Sequence, residues 1–296
     1  MKFSKIVLIF LTLATLVFPN LANAAAPKEA GSQHALRLSE KALPTTRQIK
    51  SVHIEDYGTF IWTVVNDDGL QRLQTDGVDY QEIPDAFTLT LGEQSFDPRI
   101  APPTLPDGWD RLANDSGPDL YLVQFWGPTR PEWLVQTQQQ GLQIVQYIAP
   151  FSYVVWGKPT AVSQTSRAQA AVRWTGPYVP AYRVLPQWRD LSAQPIEVRV
   201  MIYRGADTTS AIQQLQAAGG QWIDQSNTDP TFLIAHFLLP GTAFHSAASI
   251  PGVFSIQPVP TSGGLRSEMS DQVNIGNYDG TNLAFPGYQS WLTSAG

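Results

Sequence analysis

Two stretches of this chain repeat one another, and that repeat limits the fold more than any other feature of the sequence. GLQIVQYIAPFSYVVWG runs from Gly141 to Gly157, and GGQWIDQSNTDPTFLIAHF from Gly219 to Phe237. Each opens at a glycine that follows a Gln/Ala-rich run. Each then gives two apolar segments split by turn residues, the signature of a hairpin.

The flanks repeat as well. Leu120–Phe125 reads as a strand. A helix follows, with Thr129 as its cap, Pro131 in its first turn and Trp133 and Leu134 opening an apolar face. Gly141 stops it. The hairpin then runs over Gln143–Ile148 and Tyr153–Trp156, a second helix over Thr160–Ala170, and a last strand over Val172–Thr175. The second copy has a strand at Val198–Tyr203, a helix capped by Thr208 or Thr209 and ended by Gly219-Gly220, and a hairpin with Phe232–Leu238 as its second arm. A helix at Thr242–Ile250 and a strand at Val253–Ile256 complete it. Aligned without gaps, Gly219 falls on Gly141 and Val198 on Leu120.

The order β-α-β-β-α-β predicts an α+β chain of two tandem split-βαβ, ferredoxin-like units, at residues 119–178 and 196–259. Residues 58–91 predict a degenerate third half-unit: a strand at Gly58–Val65, a helix capped by Asp67 and ended by Gly77, and strands at Val78–Glu82 and Phe87–Leu91. The Pro-rich stretch closing the N-terminal segment 25–118, and the span from Pro177 to Pro195, read as linkers. Residues 260–296 read as a connector.

In such a unit both helices cover one sheet face. Along the second hairpin Phe232, Ile234 and His236 fall on one side and Leu233 and Ala235 on the other, because strand side chains alternate. Apolar residues on both sides require a second partner, which is either the other unit or an external protein. The candidate docking face is Phe232, Leu233, Ile234 and His236.

Lys2 and Lys5, the apolar run Ile6–Phe18 and the small-x-small pattern Ala22-Asn23-Ala24 predict an export signal cleaved after Ala24. The mature chain is then expected outside the cytoplasm, secreted or in the envelope, with no membrane anchor. It has no cysteine for a disulfide framework, so its cores must stand alone. A net charge of −6 without a basic cluster argues against nucleic acid or anionic lipid as a partner.

Catalytic constellations are missing. His34, His53, His236 and His245 show no metal spacing, and His236, inside an apolar strand, reads as a hydrogen-bonded core residue. GxSxG, P-loop and GxGxxG patterns do not occur. Glu55-Asp56 and Asp67-Asp68 are adjacent carboxylates, which on a strand face opposite ways. Asn277-Tyr-Asp279-Gly280 fails as a calcium loop, with Ile275 and Pro286 at ligand positions. No cofactor, metal or catalytic residue is assigned.

The stretch YLVQFWGPTRPEWLVQTQQQGLQIVQYIAPFSYVVWG, followed by VRWTGPYVPAYRVLP, resembles the N-terminal pro-region of large secreted subtilisin-like serine peptidases. DYGTFIWTVV and LTLGEQSFDP are similar to that family's upstream segment, and NYDGTNLAFPGYQSWLTSAG to the connector before its catalytic domain. The family's Asp, His and Ser phrases do not occur, so no catalytic role passes to any residue here. The resemblance implies a folding chaperone and autoinhibitor of an exported serine endopeptidase precursor, whose bare sheet face docks on the peptidase by strand addition and packing. The precursor, not this segment, would be the enzyme. A stand-alone inhibitor acting in trans, and an envelope adhesion or carbohydrate-binding module, are the alternatives. Ser262, Gly263, Gly264, Leu265 and Arg266 form a polar stretch that suits either processing or a plain linker.

Overall fold

The computed structural model describes residues 32–113, 116–189, 191 and 193–260. The expected signal cleavage at Ala22 and Ala24, the stretch Ser262–Arg266 and the failed calcium loop lie outside the described residues. The described chain is α+β, built from three four-stranded antiparallel sheets with helices on one face of each.

The N-terminal unit runs β1 (His34–Ser39), α1 (Leu43–Gln48), β2 (Ser51–Asp56), β3 (Phe60–Val65), α2 (Asp67–Thr75) and β4 (Tyr80–Glu82). A two-stranded hairpin follows, β5 (Leu89–Leu91) and β6 (Gln94–Phe96). The middle unit is β7 (Asp119–Phe125), α3 (Pro131–Gln139), β8 (Gln143–Ile148), β9 (Ser152–Gly157), α4 (Pro159–Ala168) and β10 (Val172–Pro177). A four-residue helix, α5 (Pro180–Arg183), leads to the C-terminal unit. That unit is β11 (Pro195–Tyr203), α6 (Thr208–Ala217), β12 (Gln221–Ser226), β13 (Phe232–Pro240), α7 (Phe244–Ala248) and β14 (Val253–Pro258).

The three sheets share one strand order: β2-β3-β1-β4, β8-β9-β7-β10 and β12-β13-β11-β14. In each the second strand of the unit is a free edge and the first lies inside. Each edge strand also carries a one-residue irregularity at the same place, at Val52, Val145 and Ile223. Gly141 and Gly219 end equivalent helices with φ of 89° and 95°, left-handed values that glycine adopts without a Cβ clash. The helices start differently from expectation. Asn66 caps α2 through Gly69 N at 3.0 Å, Asp207 caps α6 through Ser210 N at 2.9 Å, and α3 begins after Arg130 with no side-chain cap. Short Asx side chains just ahead of the acidic or hydroxyl residues supply the oxygen.

The third half-unit expected at 58–91 is therefore corrected to a full unit spanning His34–Glu82. Its first half escapes periodicity because α1 has six residues with Pro44 in its first turn, and β2 reads Ser-Val-His-Ile-Glu-Asp at a half-solvated edge. The strand expected at Phe87–Leu91 leaves the unit and pairs with Gln94–Phe96.

The gapless alignment of the repeats also fails in the first strand. Tyr121, Val123 and Phe125 pack beneath Trp133 of α3 and Val162 of α4, and Val198, Val200 and Ile202 pack beneath α6 and α7. Val198 thus corresponds to Tyr121, not Leu120. One residue of slip exchanges the two faces of a strand, so burial decides a register that composition leaves ambiguous.

Neither presumed linker is free. Tyr178, Val179, Ala181 and Val184 are buried between the two repeats, and Trp109 and Leu112 are buried as well. Prolines remove ladder hydrogen bonds without preventing burial of the side chains around them.

Candidate docking face

A split-βαβ sheet has one face without helices, and the three units treat that face differently. In the N-terminal unit, Ala35, Trp62 and Val64 are covered by Phe87, Trp126 and Phe151. Trp62 Nε1 donates to Trp126 O at 2.7 Å. In the middle unit, Leu120, Leu122, Val154 and Trp156 are covered by Leu89, Leu91 and Phe96 of the β5–β6 hairpin, and by Tyr203 and Phe232 of the C-terminal unit. The hairpin is clamped from behind. Buried Arg173 donates to both carboxylate oxygens of Asp97, at 2.9 and 2.7 Å, and to Gln124 Oε1 at 2.7 Å. Its guanidinium lies 4.2 Å from the Phe87 ring centroid.

The C-terminal unit keeps part of its helix-free face uncovered. Alternation along β13 sends Leu233, Ala235, Phe237 and Leu239 into the core under α6 and α7. Phe232, Ile234, His236 and Leu238 point the other way. Phe232 is buried against Phe254, with ring centroids 4.8 Å apart, and joins the contact with the middle unit. Ile234 and His236 remain half-exposed.

Of the four residues expected to dock, Ile234 and His236 therefore lie on the open part. Leu233 is corrected to the helix-side core, since it follows Phe232 on a two-residue period. Phe232 lies on the right face but is occupied from within the chain. The expectation that the two repeats share an interface and the expectation of a free face each describe one half of the sheet.

His236 is not a core histidine. Its Nε2 accepts from Arg199 Nε at 3.0 Å, which leaves the proton on Nδ1, and Nδ1 lies 2.9 Å from Asp224 Oδ1. The array crosses three strands: Asp224 on β12, His236 on β13 and Arg199 on β11 are neighbours in register. Sequence reasoning missed Arg199 and Asp224 because cross-strand neighbours are distant in the chain.

The other histidines serve structure. His34 Nε2 lies 2.9 Å from Asp67 and Nδ1 2.6 Å from Glu82. Burial lowers the His34 pKa, but hydrogen bonds and charge attraction from Asp67 and Glu82 outweigh it, and the net shift is upward. His245 Nε2 sits 3.0 Å from Gly108 O, against the Trp109 ring. Glu55 pairs with Arg130 at 2.9 Å, and Asp56 Oδ1 accepts from Gly58 N at 2.8 Å, so these two carboxylates do not converge on a shared site.

His53 joins the N-terminal unit to the middle one. It stacks on Trp126 at 6.1 Å and meets Trp133 edge-on at 6.3 Å. Burial pushes its pKa down to about 4, and among the described residues Nε2 has no hydrogen-bond partner, the Glu55 carboxylate lying 3.9 Å away. The folded state thus resists a proton that the unfolded chain accepts below the ordinary value of 6.5. Stability is full above 6.5 and falls as pH drops toward 4, by about 1–2 kcal/mol after allowing for residual solvent access. His34 has the opposite sign: its contribution is full below 6.5 and fades as pH rises through its raised value. Urea melts at pH 7 and pH 4.5 should show the loss, and His53→Gln should reduce it. An unchanged difference in the variant would remove His53 as the cause.

No helix among the described residues is long and apolar enough to cross a membrane. Residues 90–179 match the model of a family described as a domain of unknown function (DUF8729), which is less than a third of the chain. The matched stretch takes in most of the β5–β6 hairpin with the whole middle unit, the two parts that Arg173 and Asp97 clamp together. No curated protein matches the chain. A solved structure described as a glycine cleavage system transcriptional repressor is similar at 12% identity, over 54% of this chain and 88% of its own, with a TM-score of 0.15. That superposition is too loose to bear on fold or function.

Proposed function

We propose that this chain is the non-catalytic pro-region of an exported subtilisin-like serine peptidase, a template for folding of the peptidase domain and its inhibitor. The reading rests on the family-like phrases of the middle unit. One structural observation carries it further: the C-terminal unit, nearest the connector, keeps an open helix-free sheet face. The chain leaves by β14, a strand of that same sheet.

A trans-acting inhibitor would use the same face and differs only in how the peptidase is encoded. A carbohydrate module draws less support. Among the described residues, the aromatic side chains that stand well exposed are Tyr147 and Trp222, which sit on the edges of different sheets and form no common platform.

The purified protein should leave casein uncut and should inhibit a secreted subtilisin-like peptidase, with unrelated serine peptidases unaffected. It should also raise the yield when the denatured peptidase is refolded beside it. Casein hydrolysis that survives purification and is blocked by a serine-directed reagent would overturn the reading. So would the lack of both inhibition and refolding assistance.

A further inference from the structure

The repeat lets one unit serve as the control for another. On the helix-free face of the middle unit, Leu122 of β7 and Val154 of β9 are direct neighbours, and Gln146 of β8 and Gly176 of β10 complete the row. The corresponding row of the C-terminal unit is Arg199, His236, Asp224 and Gln257. In one copy the centre of the row, Leu122 and Val154, is apolar and sealed by the β5–β6 hairpin, with Gln146 exposed at the edge; in the other copy the row is charged and hydrogen-bonded. The shoulders of that row are mixed, with apolar side chains beside Ser226 and Ser255 on one side and beside Gln221 and exposed Glu197 on the other. Met201 and Ile234 flank it on one side and Leu238 on the other, all half-buried. At the edge, Ile223 is 43% exposed, whereas its counterpart Val145 is 7% exposed within the covered cluster.

A merely solvated sheet face needs no ordering of its long side chains. Here the guanidinium is oriented twice over. His236 holds Arg199 Nε, and Asp224 fixes the tautomer of His236 that can accept. Among the described residues the two Nη groups of Arg199 have no hydrogen-bond partner, and the side chain is exposed. An oriented fork with both Nη groups unused matches the two oxygens of a carboxylate, and holding it in place beforehand removes much of the ordering cost of binding.

We infer that this corner of the C-terminal unit receives a protein surface that presents an aspartate or glutamate carboxylate to Arg199 and seats apolar side chains on Ile223, Ile234 and Leu238. Arg199 is the contact residue, and His236 and Asp224 position it. The inference rests on the docking role proposed above and names the chemistry of the partner at that site.

Two measurements separate the two ideas. In the first, Arg199→Gln and Arg199→Glu are compared with wild type as inhibitors of one subtilisin-like peptidase, with melting curves to confirm the fold. Inhibition should weaken roughly tenfold for the neutral variant and further for the reversed charge, with Arg199→Lys between wild type and Gln. Wild-type inhibition with Arg199→Glu within twofold of it would overturn the carboxylate site and leave the docking reading standing. The second needs no peptidase. The guanidinium NMR signals of the full chain are followed while a hexaglutamate peptide is added at low salt. Arg199 should shift saturably and more than the other arginines, and His236→Ala should abolish that preference. The lack of an Arg199-selective shift would overturn the inference whatever the inhibition assay gives.

Discussion

Asp119→Ala should destabilise the middle and C-terminal units together, by about 3–5 kcal/mol. Asp119 opens β7, and its Oδ1 accepts from Leu120 N at 2.8 Å, Gly252 N at 3.3 Å and Arg183 Nη2 at 3.0 Å. Arg183, fully buried in α5, also donates to Tyr178 O, to Ala248 O at 3.0 Å and to Ile250 O at 3.1 Å. One guanidinium thereby joins the first strand of the middle unit, the helix between the units and the corner that leads from α7 into β14. Removing the carboxylate leaves a desolvated charge facing only carbonyl dipoles, and that cost is a large share of a domain's net stability. Arg183→Met should also destabilise, because three buried carbonyls lose a donor, Ile250 O keeping only Val253 N. The double variant should lose less than the sum of the singles, since the two side chains compensate each other. Urea unfolding followed by tryptophan fluorescence measures all three. A loss below about 1 kcal/mol for Asp119→Ala, or strict additivity, would show that the pair does not couple the units.

The second large effect divides two adjacent residues of β13. Leu233→Asp should cost about 3–5 kcal/mol, whereas Ile234→Asp should cost less than about 1 kcal/mol. Leu233 is 4% exposed and packs with Val198, Val200 and Ala211 beneath the helices, so a carboxylate there has neither water nor a partner. Ile234 sits opposite Met201 and Ser226 on the open face, where solvent reaches a new charge. At the entropy of unfolding typical of a chain this size, the first substitution lowers the melting temperature by roughly 6–20 °C and the second by a few degrees at most. The mild variant then tests function. If the open face docks a peptidase, Ile234→Asp should keep its fold and weaken inhibition. Equal melting losses for the two variants would mean that the helices do not divide the strand as described.

Both predictions turn on residues whose identity was plain in the sequence and whose direction was not. Two repeats of β-α-β-β-α-β order were legible because local signals carry them: Gly141 and Gly219 ending helices, Pro131 starting one, and apolar arms on either side of turn residues. The N-terminal copy was half legible. Strand β3 is nearly all apolar, but β1 and β2 have mixed alternation and α1 is short. The prolines from Pro98 to Pro118 and from Pro177 to Pro195 were read as a want of structure, and there the sequence misled. Arg183 is pinned by Asp119 and Ala248, each more than sixty positions away in the chain, and Tyr178 stacks on Phe254.

By itself, then, the sequence determined the type, order and number of elements in the two repeats, because turn chemistry and apolar spacing act over a few residues. Tertiary structure decided which face of each strand is buried, since Val198 matches Leu120 by alignment and Tyr121 by burial. It decided that the helix-free face of the middle unit is sealed by a hairpin from outside that unit, and that the same face of the C-terminal unit is sealed only where Phe232 and Phe254 reach the middle unit. It also brought Arg199, His236 and Asp224 into one row. These outcomes depend on contacts across strands and between units, where the free energy of burial is settled by what covers a surface rather than by the residues that form it.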